Sequence, residues 1–195
     1  MKAMDALRLH YKQGCEGLAI LEYPPICRNV KVLFNNSYYI SFPYHYFILK
    51  YDKRLPFFSI HLTSMKLAWR RKPLEKLTDL VSGSGLPMGQ DFAQICFGDF
   101  KNKSYFKFSN WLNYVVNWFW SSEFVTYNPT AWGMSMKQWE EWTKEDPSFI
   151  MNASFWQEQH PMIDVLQRRG SYDNRWQYPR LRPDKKLLPY KGEQL

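Results

Sequence analysis

The sequence has few cysteines, and their spacing is not that of a metal site. Cys15, Cys27 and Cys96 are odd in number and form no C-x-x-C pair, so they indicate neither a disulfide framework nor a four-ligand zinc site. The four histidines are scattered, with no H-E-x-x-H motif. No glycine-rich loop is followed by the Lys-Ser/Thr of a phosphate-binding loop. We therefore expect neither a metal nor a cofactor.

Long apolar runs are missing as well. The longest uncharged stretches, residues 34–49 and 108–122, are interrupted by Asn, Ser, His or Pro, and they fall short of the roughly 20 apolar residues that a membrane-spanning helix needs. The first residues include Arg8 and Lys12 instead of the apolar centre of a signal peptide. The sequence therefore predicts no membrane span and no secretion by a signal peptide, and a location in the cytoplasm or in a virion.

Aromatic residues, by contrast, are abundant: the 195 residues include nine Trp, thirteen Tyr and fourteen Phe. Such rings fill protein cores, but they are also favoured at interfaces. The aromatic residues of the C-terminal third that stand out are Trp132, Trp139, Trp142, Phe149, Phe155, Trp156, Trp176, Tyr178 and Tyr190. Two interpretations remain open for them, packing in a core and contact with a partner.

The positive charge is concentrated at the C-terminus. The formal net charge is +8, and residues 166–195 hold eight basic and three acidic side chains, so this segment alone carries +5. The rest of the chain is nearly neutral. Such a tail is drawn to phosphate or to an acidic partner surface, or it is simply solvated.

Residues 17–63 have the composition of β-strands. The predicted strands are residues 17–23, 30–42, 44–51 and 57–63, which are rich in Val, Ile, Tyr and Phe. Hairpin tips are expected at Asn35-Asn36 and at residues 52–54. Connections this short favour an antiparallel meander, because a parallel crossover needs about a dozen intervening residues.

Helices are predicted on both sides of this sheet. Met4, Leu7 and Tyr11 have helical spacing and predict a short first helix. Ser109 is a candidate N-cap for a buried helix. The apolar face of that helix comprises Leu112, Val115, Val116, Phe119 and Trp120.

The C-terminal third contains further helix signals and then a proline-rich arm. Ser135 and Gln138 have capping-box spacing, Asp146-Pro147 resembles a helix start, and Pro161 can open a helix that ends near Gly170. Beyond Gly170, three prolines forbid a long helix, so we expect an extended arm. The predicted organisation is an α+β domain over residues 1–127, a helical extension over 128–170 and an extended basic arm over 171–195.

One motif lies between the predicted sheet and the predicted buried helix. Residues 86–98 read LPMGQDFAQICFG, with Pro87 nine positions before Cys96. This resembles ubiquitin-conjugating (E2) domains, in which His-Pro-Asn precedes an Ile-Cys-Leu segment that carries the thioester-forming cysteine. The resemblance covers about residues 1–127 and is closer to the divergent E2-like proteins of bacteria and phages, which have similar segments to residues 96–99 and 119–124. It implies an antiparallel meander with flanking helices, and Cys96 as the nucleophile.

The motif departs from the family where chemistry is concerned. Met88 replaces the asparagine that donates a hydrogen bond to developing oxyanion charge, and Leu86 replaces the supporting histidine. Cys96 lies between Ile95 and Phe97, which disfavours a thiolate. We therefore interpret Cys96 as a small hydrophobic residue of the core and predict no catalytic residue.

These observations favour a non-enzymatic structural or assembly subunit of a large complex, such as a phage virion, that binds neighbouring protein subunits through its arm. The predicted partner-binding residues are Arg175, Trp176, Tyr178, Arg180, Arg182 and Tyr190. One alternative is an E2-like conjugating or thioester-relay enzyme that uses Cys96. Another is a nucleic-acid-binding accessory protein, because arginines and rings in the basic arm also suit unpaired bases.

Overall fold

The structure consists of two mainly antiparallel β-sheets and several short helices. The computed structural model describes residues 1–32, 36–54, 59–83, 86, 95, 100–102, 107–124, 134–167 and 186–187. The strands are β1 (Leu7–Gln13), β2 (Glu16–Tyr23), β3 (Ile26–Val32), β4 (Asn36–Phe42), β5 (Tyr44–Arg54), β6 (Ser59–Arg70), β7 (Leu80–Gly83), β8 (Glu123–Phe124) and β9 (His160–Pro161). The helices are α1 (Phe108–Ser121), α2 (Met136–Glu145), α3 (Phe149–Asn152) and α4 (Met162–Gln167).

The larger sheet has the order β1-β2-β5-β6-β7-β9 and is antiparallel throughout, and the smaller sheet has the order β4-β3-β8. The α+β class and the mainly antiparallel pairing are confirmed. The simple meander is wrong in one respect, because β2 pairs with β5 while the β3–β4 hairpin forms the second sheet. Pro24 and Pro25, between β2 and β3, lack backbone N–H donors and cannot continue the ladder, so the chain leaves the first sheet there.

The larger sheet is covered on both faces. Phe47 and Leu49 of β5 point into a first core shared with α1, whereas Tyr46 and Ile48 point into a second core shared with α4. This alternation explains why β5 reads as a continuous apolar run. The first core also buries Trp139 of α2, so a helix from the predicted extension packs on the same core as the sheet.

Strand β6 continues to Arg70, beyond its predicted end at residue 63, and it contains a β-bulge. Leu62 pairs with Tyr51 and Ser64 pairs with Lys50, so Thr63 is left between two registers. The extra residue reverses the alternation, and Leu62 and Met65 therefore both face the first core. A strand with such a change of phase is not periodic over its length, which is why the pattern after residue 63 is ambiguous.

The N-terminal residues form a strand, so the predicted first helix is wrong. Residues 3–6 make only one turn, in which Ala6 and Leu7 donate to the carbonyls of Ala3 and Met4 at 3.2 Å each. From Leu7 the chain pairs with β2. Three apolar residues at helical spacing are a weak signal, and pairing with an available strand edge outweighs it.

The predicted buried helix is confirmed as α1, with a different start. Lys107 is its N-cap and Ser109 lies within its first turn. The predicted apolar face is buried, except that Trp120 is partly exposed. Burial of this face against the sheet therefore fixes the helix without a side-chain cap at its N-terminus.

The helix ends in the C-terminal third are partly as predicted. The capping box is confirmed, because Gln138 N donates to Ser135 Oγ at 3.1 Å and Ser135 N donates to Gln138 Oε1 at 3.0 Å. Asp146 does not start a helix: its carboxylate accepts from the backbone N and the hydroxyl of Ser148, the N-cap of α3. The helix after Pro161 begins at Met162, and its predicted end near Gly170 lies outside the described residues.

Candidate interaction surface and buried polar cluster

The predicted partner-binding residues, and two residues of the E2-like motif, lie outside the described part of the chain. They are Arg175, Trp176, Tyr178, Arg180, Arg182 and Tyr190 of the arm, together with Met88 and Cys96. Leu86 and Ile95, two other residues of the motif, are described and are buried in the first core. Ile95 N donates to Met65 O at 2.9 Å. The residue before Cys96 is therefore attached to β6.

One point of the C-terminal arm packs on the body of the same chain. Leu187 N donates to Glu75 O at 2.7 Å, and Lys186 pairs antiparallel with Lys76. The Leu187 side chain is 6% exposed and belongs to the second core, as does Leu166 of α4. Sequence reasoning missed this attachment. The adjacent Leu187 and Leu188 were its only local signal.

Exposed aromatic rings lie on and beside α2. Trp142 is 39% exposed and Phe155 is 36% exposed. Their rings stack with centroids 6.3 Å apart, and Phe149 packs edge-on against Trp142 at 5.8 Å. Glu145 follows Trp142 by three positions in the helix and so lies on the same side of it. Asp146 is the C-cap, and its N–H donates to Trp142 O at 2.9 Å. We name Trp142, Glu145, Asp146, Phe149 and Phe155 the acidic aromatic surface.

The aromatic residues of this region therefore divide between core and surface. Trp139 and Trp156 are fully buried in the first core, as the core interpretation requires. Trp142 and Phe155 remain exposed, so the core interpretation does not account for them. Trp132, Trp176, Tyr178 and Tyr190 lie outside the described residues.

Helix α2 is held against β4, the edge strand of the smaller sheet. Ser41 N donates to Thr143 Oγ1 at 3.0 Å, and Tyr39 N donates to Glu140 Oε1 at 2.8 Å. The indole N–H of Trp139 donates to Ser41 O at 3.2 Å. Side chains of α2 thus bind backbone groups that an edge strand would otherwise leave open. The acidic aromatic surface rests on this fixed helix.

Arg71 binds the backbone around Phe155, the second exposed ring of the acidic aromatic surface. Its guanidinium donates to the carbonyls of Met151, Ala153 and Trp156 at 2.9, 2.6 and 2.9 Å, and it stacks on the Trp156 ring at 4.1 Å. The residues that carry Phe155 are therefore fastened to the end of β6. Both rings of the exposed pair are presented by well-anchored backbone.

A separate group of contacting polar side chains comes from both sheets and from α1. The Tyr23 and His45 rings stack at 5.4 Å, the His45 and Trp120 rings meet edge-on at 5.7 Å, and the Arg28 guanidinium lies 4.5 Å above the Trp120 ring. Four buried atoms of these residues make no hydrogen bond to any described residue: Tyr23 Oη, Arg28 Nε, His45 Nε2 and Trp120 Nε1. We name these four residues the polar cluster.

The protonation of His45 follows from its one hydrogen bond. Its Nδ1 lies 3.0 Å from Pro43 O, and since a carbonyl only accepts, Nδ1 carries the proton and Nε2 presents a lone pair. The pKa of His45 is lowered to about 4, mainly by burial. The hydrogen bond to Pro43 raises this pKa, and the positive charge of Arg28 lowers it further. Burial also raises the pKa of Tyr23 to about 12, with Arg28 opposing and Asp5 assisting. Both groups are therefore neutral near pH 7.

The neutral imidazole of His45 should make the protein less stable in acid. Its pKa falls from 6.5 to about 4 on folding, so below pH 6.5 the unfolded chain binds a proton that the folded chain does not. The stability contributed by this group is complete above pH 6.5 and is lost as the pH falls toward 4. The full loss is about 3 kcal/mol. Urea unfolding across this pH range measures it.

His45→Gln is the informative variant, because burial and two lysines also lower the pKa of His10 to about 4. Both histidines then contribute to the acid slope, and removal of His45 should reduce that slope by about half. An unchanged slope in His45→Gln would contradict the buried neutral imidazole.

The described residues contain no group of three or more His, Cys, Asp or Glu side chains that could hold a metal ion. Within the same residues, no helix is both long and apolar enough to cross a membrane. Comparison of the chain with protein-family models, with curated proteins and with solved structures finds no match.

Proposed function

We propose that this chain is a non-enzymatic assembly subunit of a large complex, of the kind found in a phage virion, and that the arm of one copy binds the acidic aromatic surface of a neighbouring copy. The observation that carries the proposal is the exposed, stacked pair of Trp142 and Phe155 on a fixed backbone. A large exposed ring pair of this kind is typical of interaction sites.

The chemistry of the arm complements that of the surface. Arg175, Arg180 and Arg182 carry positive charge, and Glu145 and Asp146 beside Trp142 carry negative charge. Arginine both pairs with carboxylates and stacks on aromatic faces. Trp176 and Tyr178 can add rings to the exposed pair. This match favours the arm over an acidic or a purely apolar partner.

The attachment points of the arm favour a neighbouring copy over the same chain. Leu166 and Leu187, the described residues on either side of the predicted arginines, belong to the second core, whereas Trp139 of α2 belongs to the first core. The described attachment points of the arm and the helix that carries the acidic aromatic surface therefore pack in different cores. A contact of this head-to-tail kind propagates from copy to copy and suits an assembly.

Association should depend on the exposed ring pair. We expect Trp142→Ala/Phe155→Ala to weaken self-association at least tenfold, because truncated interface rings commonly cost more than 1 kcal/mol each. Sedimentation velocity over a concentration series measures it. Leu80→Ala is the matched control, since Leu80 is 44% exposed and lies outside the surface. A wild-type chain that stays monomeric, or equal loss in the control, would contradict the proposal.

Charge reversal tests the pairing itself. Arg175→Glu/Arg180→Glu/Arg182→Glu should fail to associate, and so should Glu145→Lys, which spares the Asp146 carboxylate bonded to Ser148. A mixture of the two chains should associate again, because each reversed arm then meets a reversed surface. If the arm variant instead loses salt-dependent binding of single-stranded DNA while self-association is unaffected, the nucleic-acid alternative is supported and the assembly proposal fails.

The relationship to ubiquitin-conjugating domains remains part of the proposal. It is supported by the antiparallel sheet, by the attachment of Ile95 to β6 and by the buried helix α1 that follows. Incubation with an activating enzyme, a ubiquitin-like protein and ATP tests the enzymatic alternative. A thiol-sensitive adduct that is lost in Cys96→Ala would overturn the non-enzymatic assignment, and its absence with a competent control enzyme would favour it.

A further inference from the structure

We propose that the polar cluster binds one small oxyanion that retains a hydroxyl group, such as hydrogen phosphate or hydrogencarbonate. The observation is that four contacting side chains each hold a buried polar atom with no hydrogen bond to any described residue. Native proteins rarely leave one such atom unpaired, because each costs about 1 to 3 kcal/mol. Four together indicate a ligand.

The charge of the cluster favours an anion. Arg28 makes no ion pair with any described residue, and burial lowers its pKa, with Tyr23 opposing. Its guanidinium is therefore a partly desolvated positive charge that has no carboxylate partner among the described residues. An oxyanion supplies both the missing charge and acceptors for N–H donors, and such charge-assisted bonds are the stronger kind.

The donor and acceptor pattern selects the type of oxyanion. Arg28 Nε and Trp120 Nε1 can only donate, and Tyr23 Oη can donate. His45 Nε2 can only accept, because its proton is on Nδ1. A ligand that fits must accept from several groups and donate to one. Sulfate and acetate have no hydrogen to donate near neutral pH, whereas hydrogen phosphate and hydrogencarbonate have one.

The four residues differ in their exposure. His45 is 0% exposed and Tyr23 is buried, whereas Arg28 and Trp120 are partly exposed, so we expect the anion to enter from the side of Arg28 and Trp120. Trp120 lies in the last turn of α1, where carbonyl groups disfavour an anion. The hydroxyls of Ser121 and Ser122 donate to Trp118 O there and reduce this effect.

The comparison of phosphate with sulfate tests the proposal directly. Isothermal titration of the wild-type chain at equal ionic strength should show saturable binding of phosphate and at least tenfold weaker binding of sulfate, which has the same shape but no hydroxyl. Equal affinity for the two anions, or binding of neither, would overturn the proposal.

Conservative variants then locate the site. Tyr23→Phe and Trp120→Phe each remove one donor and leave an aromatic ring at the position. Each should weaken phosphate binding about fivefold to thirtyfold. Tyr114→Phe is the matched control. Tyr114 lies on the same helix as Trp120, and its hydroxyl donates to Lys101 O, outside the cluster. Equal loss in the control would overturn the assignment of the site.

A measurement on the wild-type chain covers the case in which a variant does not fold. The indole N–H resonance of Trp120 should shift as phosphate is added, and the same shift should need at least ten times as much sulfate. It can be assigned by selective labelling and comparison with the other indole signals. A Trp120 signal that is unchanged at saturating phosphate would overturn the proposal.

Discussion

Arg71→Ala should destabilise the protein by about 3 to 5 kcal/mol. The side chain donates three hydrogen bonds to the carbonyls of Met151, Ala153 and Trp156 and stacks on the Trp156 ring. Each bond contributes about 0.5 to 1.5 kcal/mol net, and a desolvated cation–π contact contributes up to about 2 kcal/mol. In a chain of this size the loss corresponds to a fall in Tm of roughly 10 °C. Thermal and urea unfolding measure it.

Two comparisons separate the guanidinium fork from its charge. Arg71→Lys keeps the charge but cannot reach three carbonyls at once, so it should lose more than half of the same free energy. Lys137→Ala removes an exposed cation whose pairing with Glu141 is long, at 3.9 Å, and should change stability by less than about 0.5 kcal/mol. A cost for Arg71→Ala no larger than that of Lys137→Ala would show that the loop around Phe155 is fixed by other contacts.

The strands were predictable where one pattern covers a whole element. Residues 44–51 alternate between two cores, and their apolar run identified β5. Residues 59–70 form one strand, but the bulge at Thr63 divides its pattern into two halves of opposite phase. Local sequence therefore predicted only the first half. The bulge is set by pairing with β5, which no window of residues around Thr63 contains.

The two candidate sites differ from the predicted one for a similar reason. An excess of rings was visible in the sequence, but its division between Trp139 in the core and Trp142 on the surface depends on which face of α2 meets β4. Tyr23, Arg28 and His45 come from three strands, and Trp120 comes from a helix much later in the chain. No spacing rule joins such residues, because the pairing of two sheets brings them together.

Gly17→Ala should destabilise the protein by about 3 kcal/mol, although alanine is normally better than glycine in a strand. A Cβ at position 17 would lie 2.6 Å from Tyr51 Cε1 and closer still to Cζ. The Tyr51 ring cannot move aside cheaply, because it is buried against Phe108 and Trp111 and its hydroxyl is hydrogen-bonded to His10. Urea unfolding of the variant measures the cost.

The sign of this effect should reverse when Tyr51 is shortened. Leucine at position 51 lacks the atoms that a Cβ would meet, so in a Tyr51→Leu background Gly17→Ala should stabilise the fold by about 0.5 kcal/mol through reduced backbone entropy. Gly14 provides the contrast: its φ is +60° and nothing lies within 4 Å of a Cβ there. Gly14→Ala should cost about 1 kcal/mol in either background, since the left-handed backbone and not a ring opposes it. A cost at position 17 that persists in the Tyr51→Leu background would mean that the backbone, and not the tyrosine ring, requires glycine there.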